Sequence, residues 1–132
     1  MITADDMFSL LLRADPSFEL RWREFSDGWP DEDHPPLYLA LSGLARRLIG
    51  QMEAEDTERF DSIFDVVERW HVEGDAYVRE AATLGLLVSL QNGYLHDTTS
   101  PADFVPWLRP ETLRWWEKVD AFWRGGKVIT DD

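Results

Sequence analysis

From Phe60 onward the apolar side chains step by three and four, so that Phe60, Ile63, Phe64, Val67, Trp70 and His71 share one face while Asp61, Asp65 and Glu68 step along another. That period matches the 3.6 residues of a helical turn and not the two-residue alternation of a strand. Gly74 ends the run, Asp75 caps the next, and from Ala81 to Leu90 the following segment is apolar or small on every side. A helix apolar all round has to be enclosed by others, which commits the chain to an all-α fold with the helix from Val78 to Leu90 at its centre. Ala81, Ala82 and Gly85 leave room for neighbours to come close, so Gly85 reads as a packing choice, and Asn92-Gly93 supplies the stop.

The rest of the chain reads as further helices around this one. Thr3 can cap a first helix with Met7, Phe8, Leu11 and Leu12 inward, and Asp15-Pro16-Ser17 ends it and starts a second carrying Phe18, Trp22 and Phe25 on one face. Residues 26–36 combine Gly, Pro and four acids and read as an acidic loop around Trp29. Pro35 and Pro36 suit a first turn, after which Leu37, Leu41, Leu44, Leu48 and Met52 line a helix to about Glu53, with Arg46 and Arg47 off that face. Glu55-Asp56-Thr57 is expected to open the Phe60 helix. Ser100-Pro101-Ala102-Asp103 resembles a capping box for a short turn broken by Pro106. The last helix begins at Pro110, presents Trp115, Trp116, Val119, Phe122 and Trp123, and closes at Gly125-Gly126 ahead of a frayed tail over 125–132. These segments amount to a single domain of five or six helices over residues 1–132, with one HEAT-like hairpin and no repeated array.

Composition narrows the partners. Twenty-six acidic residues against 13 basic ones give a formal charge of -13, which repels phosphate backbones and anionic lipid, so neither nucleic acid nor a membrane surface is expected as a partner. With no cysteine, disulfides and thiolate chemistry are excluded and a reducing cytoplasm is the expected setting. Two Asp stand near the N-terminus where a secretory signal carries Lys or Arg.

Three constellations invite a chemical reading. Glu68-x-x-His71 has the spacing of a di-iron ligand pair, but such a site needs a second Glu-x-x-His, and the chain has none. His96-Asp97 beside Thr98, Thr99 and Ser100 suggests a hydrolytic triad, without the strand and elbow that carry one, and with Ser100 already serving as a cap. His34 sits among acids and prolines. Asp27, Asp31, Glu32 and Asp33 could gather a hard cation, yet Pro30 interrupts any calcium-loop spacing. No catalytic residue, metal or cofactor is therefore assigned.

What stands out instead is the segment Glu53 to Asp75, with nine acids against Arg59 and Arg69. Glu58, Asp61, Asp65 and Glu68 would present carboxylates at spacings suited to Lys or Arg on another protein, with Trp29, Asp31, Glu32 and Asp33 of the acidic loop as a second contact. The Trp-rich last helix is a second candidate surface, and a homodimer is the natural way to cover aromatic excess.

At the hairpin FDVVERWHVEGDAYVREAATLGLLVSLQN, Phe64 to Asn92, the sequence resembles small bacterial all-helical proteins of toxin and immunity gene clusters. The residues that carry the resemblance are Gly74-Asp75, Val78, Ala81 and the Leu90-Gln91-Asn92 end, and the hairpin covers about a fifth of the chain. The resemblance implies a cytoplasmic inhibitor that binds a cognate toxin, and it brings no catalytic residues. The expectation is a non-catalytic binding module whose acidic helix engages a basic toxin or effector. Its alternatives are an adaptor that oligomerises through the Trp-rich helix and a small-ligand or metal-dependent enzyme using His71 or His96.

Overall fold

The computed structural model describes residues 1–28, 36–126, 128 and 129, and among them it is all-α, with seven α-helices and no strand beyond a single bridge. Helix α1 (Ala4–Ala14) starts at the expected Thr3, where the Thr3 amide donates to Asp6 Oδ2 at 3.2 Å and completes a capping box. Asp15 ends it, accepts from the Ser17 amide, and launches a 3₁₀ turn, Pro16–Phe18, that runs straight into α2 (Glu19–Asp27). No residue of α2 is fully buried. It is held by rings, with Trp22 stacked on Phe8 at 4.3 Å between centroids.

Helix α3 (Leu37–Glu53) buries Ala40, Leu41, Leu44, Ala45, Leu48 and Ile49. Arg47, placed off the buried face by spacing alone, turns toward α1. Its guanidinium donates to Ser17 Oγ at 2.8 Å, sits 3.6 Å from the buried Asp15 carboxylate, and lies over the Phe18 ring. The end of α3 corrects the expected start of the next helix. Glu55 takes a left-handed φ of 59°, its amide returns to Met52 O and the Asp56 amide to Gln51 O. This is a Schellman closure with Glu where Gly is usual. The acids therefore finish one helix rather than open another, and α4 (Phe60–Glu73) begins three residues after Thr57.

Helix α4 buries Phe60, Ile63, Phe64, Val66, Val67, Trp70 and His71. Its turn into the central rod is only Gly74 and Asp75. Ile2 straps that turn, since its amide donates to Glu73 O and its carbonyl accepts from the Asp75 amide, both at 2.9 Å. Asp75 Oδ1 in turn accepts from the Val78 amide at 2.8 Å and caps the rod.

The rod itself is one continuous helical segment in three pieces: α5 (Ala76–Ala81), a π-helical stretch Ala82–Leu87, and α6 (Val88–Leu90). The sequence predicts a regular helix here and carries no mark of the wider middle turns. Small residues coincide with the closest approach, because a Cβ on Gly85 would come within 2.8 Å of Leu41 Cδ1 on α3. Gly85 is thus the packing residue the sequence suggests. The rod is not enclosed on all sides, however: Tyr77 and Leu84 are exposed.

Beyond the rod, Asn92 caps a short 3₁₀ turn, Gly93–Leu95, and the Ser100/Asp103 capping box starts a longer one, Pro101–Trp107, which continues one residue past Pro106. Phe104 and Trp107 from this segment pack on Phe60, closing an aromatic cluster. Helix α7 (Pro110–Gly125) buries Trp115, Trp116 and Val119, and ends at Gly126 with φ 68°. Phe122 and Trp123 stay 42% and 50% exposed, so the predicted aromatic face divides into a buried half and an open half. Past the helix, Ile129 packs against the core. No helix among the described residues is long and apolar enough to cross a membrane.

Candidate partner-binding face

Helix α4 brings the acidic residues together on one element but gives them different work. Asp61 and Asp65, one turn apart with side chains 82% and 60% exposed, both point at Arg109, the residue just before α7. Arg109 Nη2 donates to Asp61 Oδ1 and to the Asp61 carbonyl, each at 3.1 Å, and Nε donates to Asp65 Oδ1 at 3.3 Å. Glu58 lies exposed in the turn before α4.

Glu68 leaves this row. Its carboxylate turns onto the start of α7, where Oε1 accepts from the Thr112 amide and hydroxyl, both at 2.8 Å, and Oε2 accepts from the Glu111 amide at 3.0 Å. A carboxylate on the free amides of a helix start is favoured by the hydrogen bonds and by the helix dipole together. Glu68 is committed within the fold, and the displayed row is Glu58, Asp61 and Asp65. Trp29, Asp31, Glu32, Asp33 and His34 lie outside the described residues.

One turn from Glu68, His71 is only 2% exposed. Its Nδ1 faces Val67 O at 2.9 Å and its Nε2 faces Thr83 Oγ1 at 3.2 Å, with Thr112 Oγ1 3.4 Å from Nδ1. A carbonyl can only accept, so Nδ1 carries the hydrogen and Nε2 accepts from the Thr83 hydroxyl. The Glu-x-x-His spacing thus serves as a joint: Glu68 fastens α7 to α4, and His71 fastens α4 to the π-helical stretch. Among the described residues no group of three or more His, Asp or Glu could hold a metal ion.

Burial pushes the His71 pKa below its ordinary 6.5, against opposing contributions from the Val67 carbonyl and the Glu68 and Glu111 charges. The unfolded chain then binds this proton more readily than the folded one. Stability is expected to fall as pH drops below about 6.5, the loss being complete below the folded pKa. Urea midpoints measured between pH 7.5 and pH 5 should show this slope, and His71→Gln should flatten it. An unchanged slope in the variant would assign the effect elsewhere.

His96 is likewise engaged at both nitrogens. Nε2 donates to Leu90 O at 2.8 Å and Nδ1 lies 2.8 Å from Thr99 Oγ1. Among the described residues no carboxylate is hydrogen-bonded to its ring, and Ser100 is occupied in its capping box, so the triad suggested by sequence is not assembled there. The amides of Asp97 and Thr98 donate to Glu53 Oε2 at 2.7 and 2.9 Å, hydrogen bonds that hold the Glu53 carboxyl below its usual pKa. Neither Glu53 nor Arg109 has a signal in the sequence, because each contact spans at least 44 residues.

These features define an acidic all-α bundle that shows carboxylates on a braced helix. The chain belongs to the family described as a domain of unknown function, DUF7674, whose model matches residues 8–124, from the first helix to the last turn of α7. No curated protein matches it, and no solved structure does.

Proposed function

We propose that the chain is a non-catalytic protein-binding module, an immunity-type inhibitor that captures a basic toxin or effector through Glu58, Asp61 and Asp65. The observation that carries this reading is the pairing of exposure with rigidity. Asp61 and Asp65 are open to solvent, yet they sit on a helix whose opposite face, Phe60, Ile63, Phe64 and Val67, is fully buried. Carboxylates fixed this way lose little freedom when a partner docks. Arg109 holds them in place at small cost, because exposed ion pairs contribute only about 0–1 kcal/mol and yield to a better-placed cation. The charge of -13 would speed encounter with a basic surface, and the resemblance of the hairpin over 64–92 suggests a toxin as the class of partner.

The test is binding to the product of a neighbouring toxin gene, measured by surface plasmon resonance for the unaltered chain and for the double variant Asp61→Lys, Asp65→Lys. Affinity should fall by about tenfold or more, mostly through slower association at low salt. Binding that survives the double change would move the contact to another face. No binding by the unaltered chain would remove the inhibitor reading.

A second reading rests on Phe122 and Trp123, exposed at the end of α7, and on Tyr94, fully exposed and lining a shallow groove together with Trp123. An adaptor that self-associates through these rings would sediment as a dimer and revert to a monomer with Trp123→Ser. Because Trp115 and Trp116 are buried within one copy, that surface is confined to the open end of the helix.

A further inference from the structure

Asn92 is the chain's single asparagine, and glycine follows it. In the fold this pair is the joint between the end of the rod and the 3₁₀ turn Gly93–Leu95. The Asn92 side chain is folded over the turn, its Oδ1 accepting from the Tyr94 amide at 3.1 Å. That hydrogen bond draws electron density away from Cγ and would stabilise an oxyanion formed there. The Gly93 amide, first of the turn, makes no hydrogen bond among the described residues, as is usual for the leading amides of a helical turn. Gly93 is also exposed, and an added Cβ would meet nothing within 4 Å, so neighbouring groups do not crowd its nitrogen. Asp27-Gly28 offers a contrast. Its glycine amide is engaged, donating to Phe25 O at 3.1 Å, and its carbonyl target is a carboxylate, which repels an anionic nucleophile.

We infer that Asn92-Gly93 is a site of spontaneous deamidation, and that the change loosens the Tyr94 end of the molecule while leaving the acidic face intact. The Gly93 nitrogen gives its proton to hydroxide and bonds to Asn92 Cγ. The Cγ–Nδ2 bond then breaks, and Nδ2 takes a proton from water and leaves as ammonia. Water opens the resulting five-membered imide. Breaking the bond from nitrogen to Cγ leaves an aspartate, and breaking the bond from nitrogen to the main-chain carbonyl carbon leaves an iso-aspartate whose backbone runs through Cγ. Either product adds one negative charge, and nothing is oxidised or reduced. Glycine favours the step because a residue without a Cβ lets its nitrogen swing into reach. The iso-aspartate places an extra methylene in the backbone at the residue whose amide donates to Ser89 O and whose carbonyl accepts from the Leu95 amide. Those bonds and the Oδ1 cap fix the turn to the rod, so their loss releases it. Tyr94 on that turn lines one groove with Trp123, and the groove is reshaped with it.

The full chain, held at pH 8.5 and 37 °C beside a free pentapeptide of residues 90–94, is followed by mass spectrometry and peptide mapping. The chain should gain about 1 Da at Asn92, at a rate within about tenfold of the peptide's because the reacting groups are already close. Iso-aspartate should be the main product, with none at Asp27. Gly93→Ala, whose Cβ has room in the fold, should slow the reaction by about tenfold or more. In amide spectra the converted chain should differ at Tyr94 and Leu95 and match the parent at Ser62 and Asp65. A chain that stays intact while the peptide converts would overturn the proposal, as would conversion to aspartate alone or an unchanged rate in Gly93→Ala. Tyr94 signals identical before and after conversion would overturn the loosening. The acidic face takes no part in these measurements, so the inhibitor reading stands or falls separately.

Discussion

Gly74→Ala is expected to destabilise the chain by about 3 kcal/mol, which corresponds to a drop of about 10 °C in Tm for a domain of this size. The backbone of Gly74 is not itself unusual, with φ -71° and ψ 152°, so the cost is one of space. A Cβ built there runs into the Trp70 carbonyl oxygen and the Val78 side chain. Neither can give way easily. Trp70 O accepts the Gly74 amide at 3.2 Å, and Val78 is fully buried behind a capped first turn. Ile2 also clamps the residues on both sides of Gly74. Gly43→Ala and Gly50→Ala provide the opposite control. Both lie within α3 with nothing inside 4 Å of an added Cβ, so each should stabilise by about 0.5–1 kcal/mol. Urea denaturation of the three variants would decide the matter. A Gly74→Ala midpoint within error of the parent would mean that the turn has slack around Trp70 O and Val78.

Glu68→Ala should cost about 2–3 kcal/mol, because it strips acceptors from two helix-start amides and the Thr112 hydroxyl at once. Glu68→Gln should cost less. Its remaining oxygen can keep both bonds from Thr112, while its amide nitrogen would face the Glu111 amide, a second donor. Asp61→Lys or Asp65→Lys, at exposed positions paired with Arg109, should move stability by less than about 1 kcal/mol. Equilibrium unfolding can rank all four. If Glu68→Ala proved as mild as the exposed changes, the capping role would be wrong. The ranking also governs how a binding test is designed. Reversing the charge at Glu68 would weaken the fold itself, so a loss of partner affinity in that variant would not report on the face.

The two cases mark where the sequence is informative and where it is not. Thr3, Asp75, Ser100 and Pro110 act on amides or dihedrals within a few residues, and each starts its element where the sequence places it. Apolar spacing likewise identifies the buried faces of α3 and α4, since burial follows helical geometry. Glu55 is harder, because an acid near a helix start and an acid at a left-handed helix end look alike in sequence. The π-helical stretch has no compositional mark. Glu68 and Arg109 lie beyond local reading altogether. On α4 the carboxylates Asp61, Asp65 and Glu68 have equivalent spacing, and only the arrival of α7, more than 40 residues later, makes one a structural cap and the other two a displayed pair.

Arg109 gives that displayed pair a threshold. Tethered beside Asp61 and Asp65, it competes with any incoming cation as though present at millimolar concentration or above. A free lysine, or a protein offering one stray positive charge, gains too little to replace it. A surface carrying several cations at matching spacing gains enough, so the chain's own arginine would favour it over a singly charged one by no more than about fivefold, the worth of an exposed ion pair.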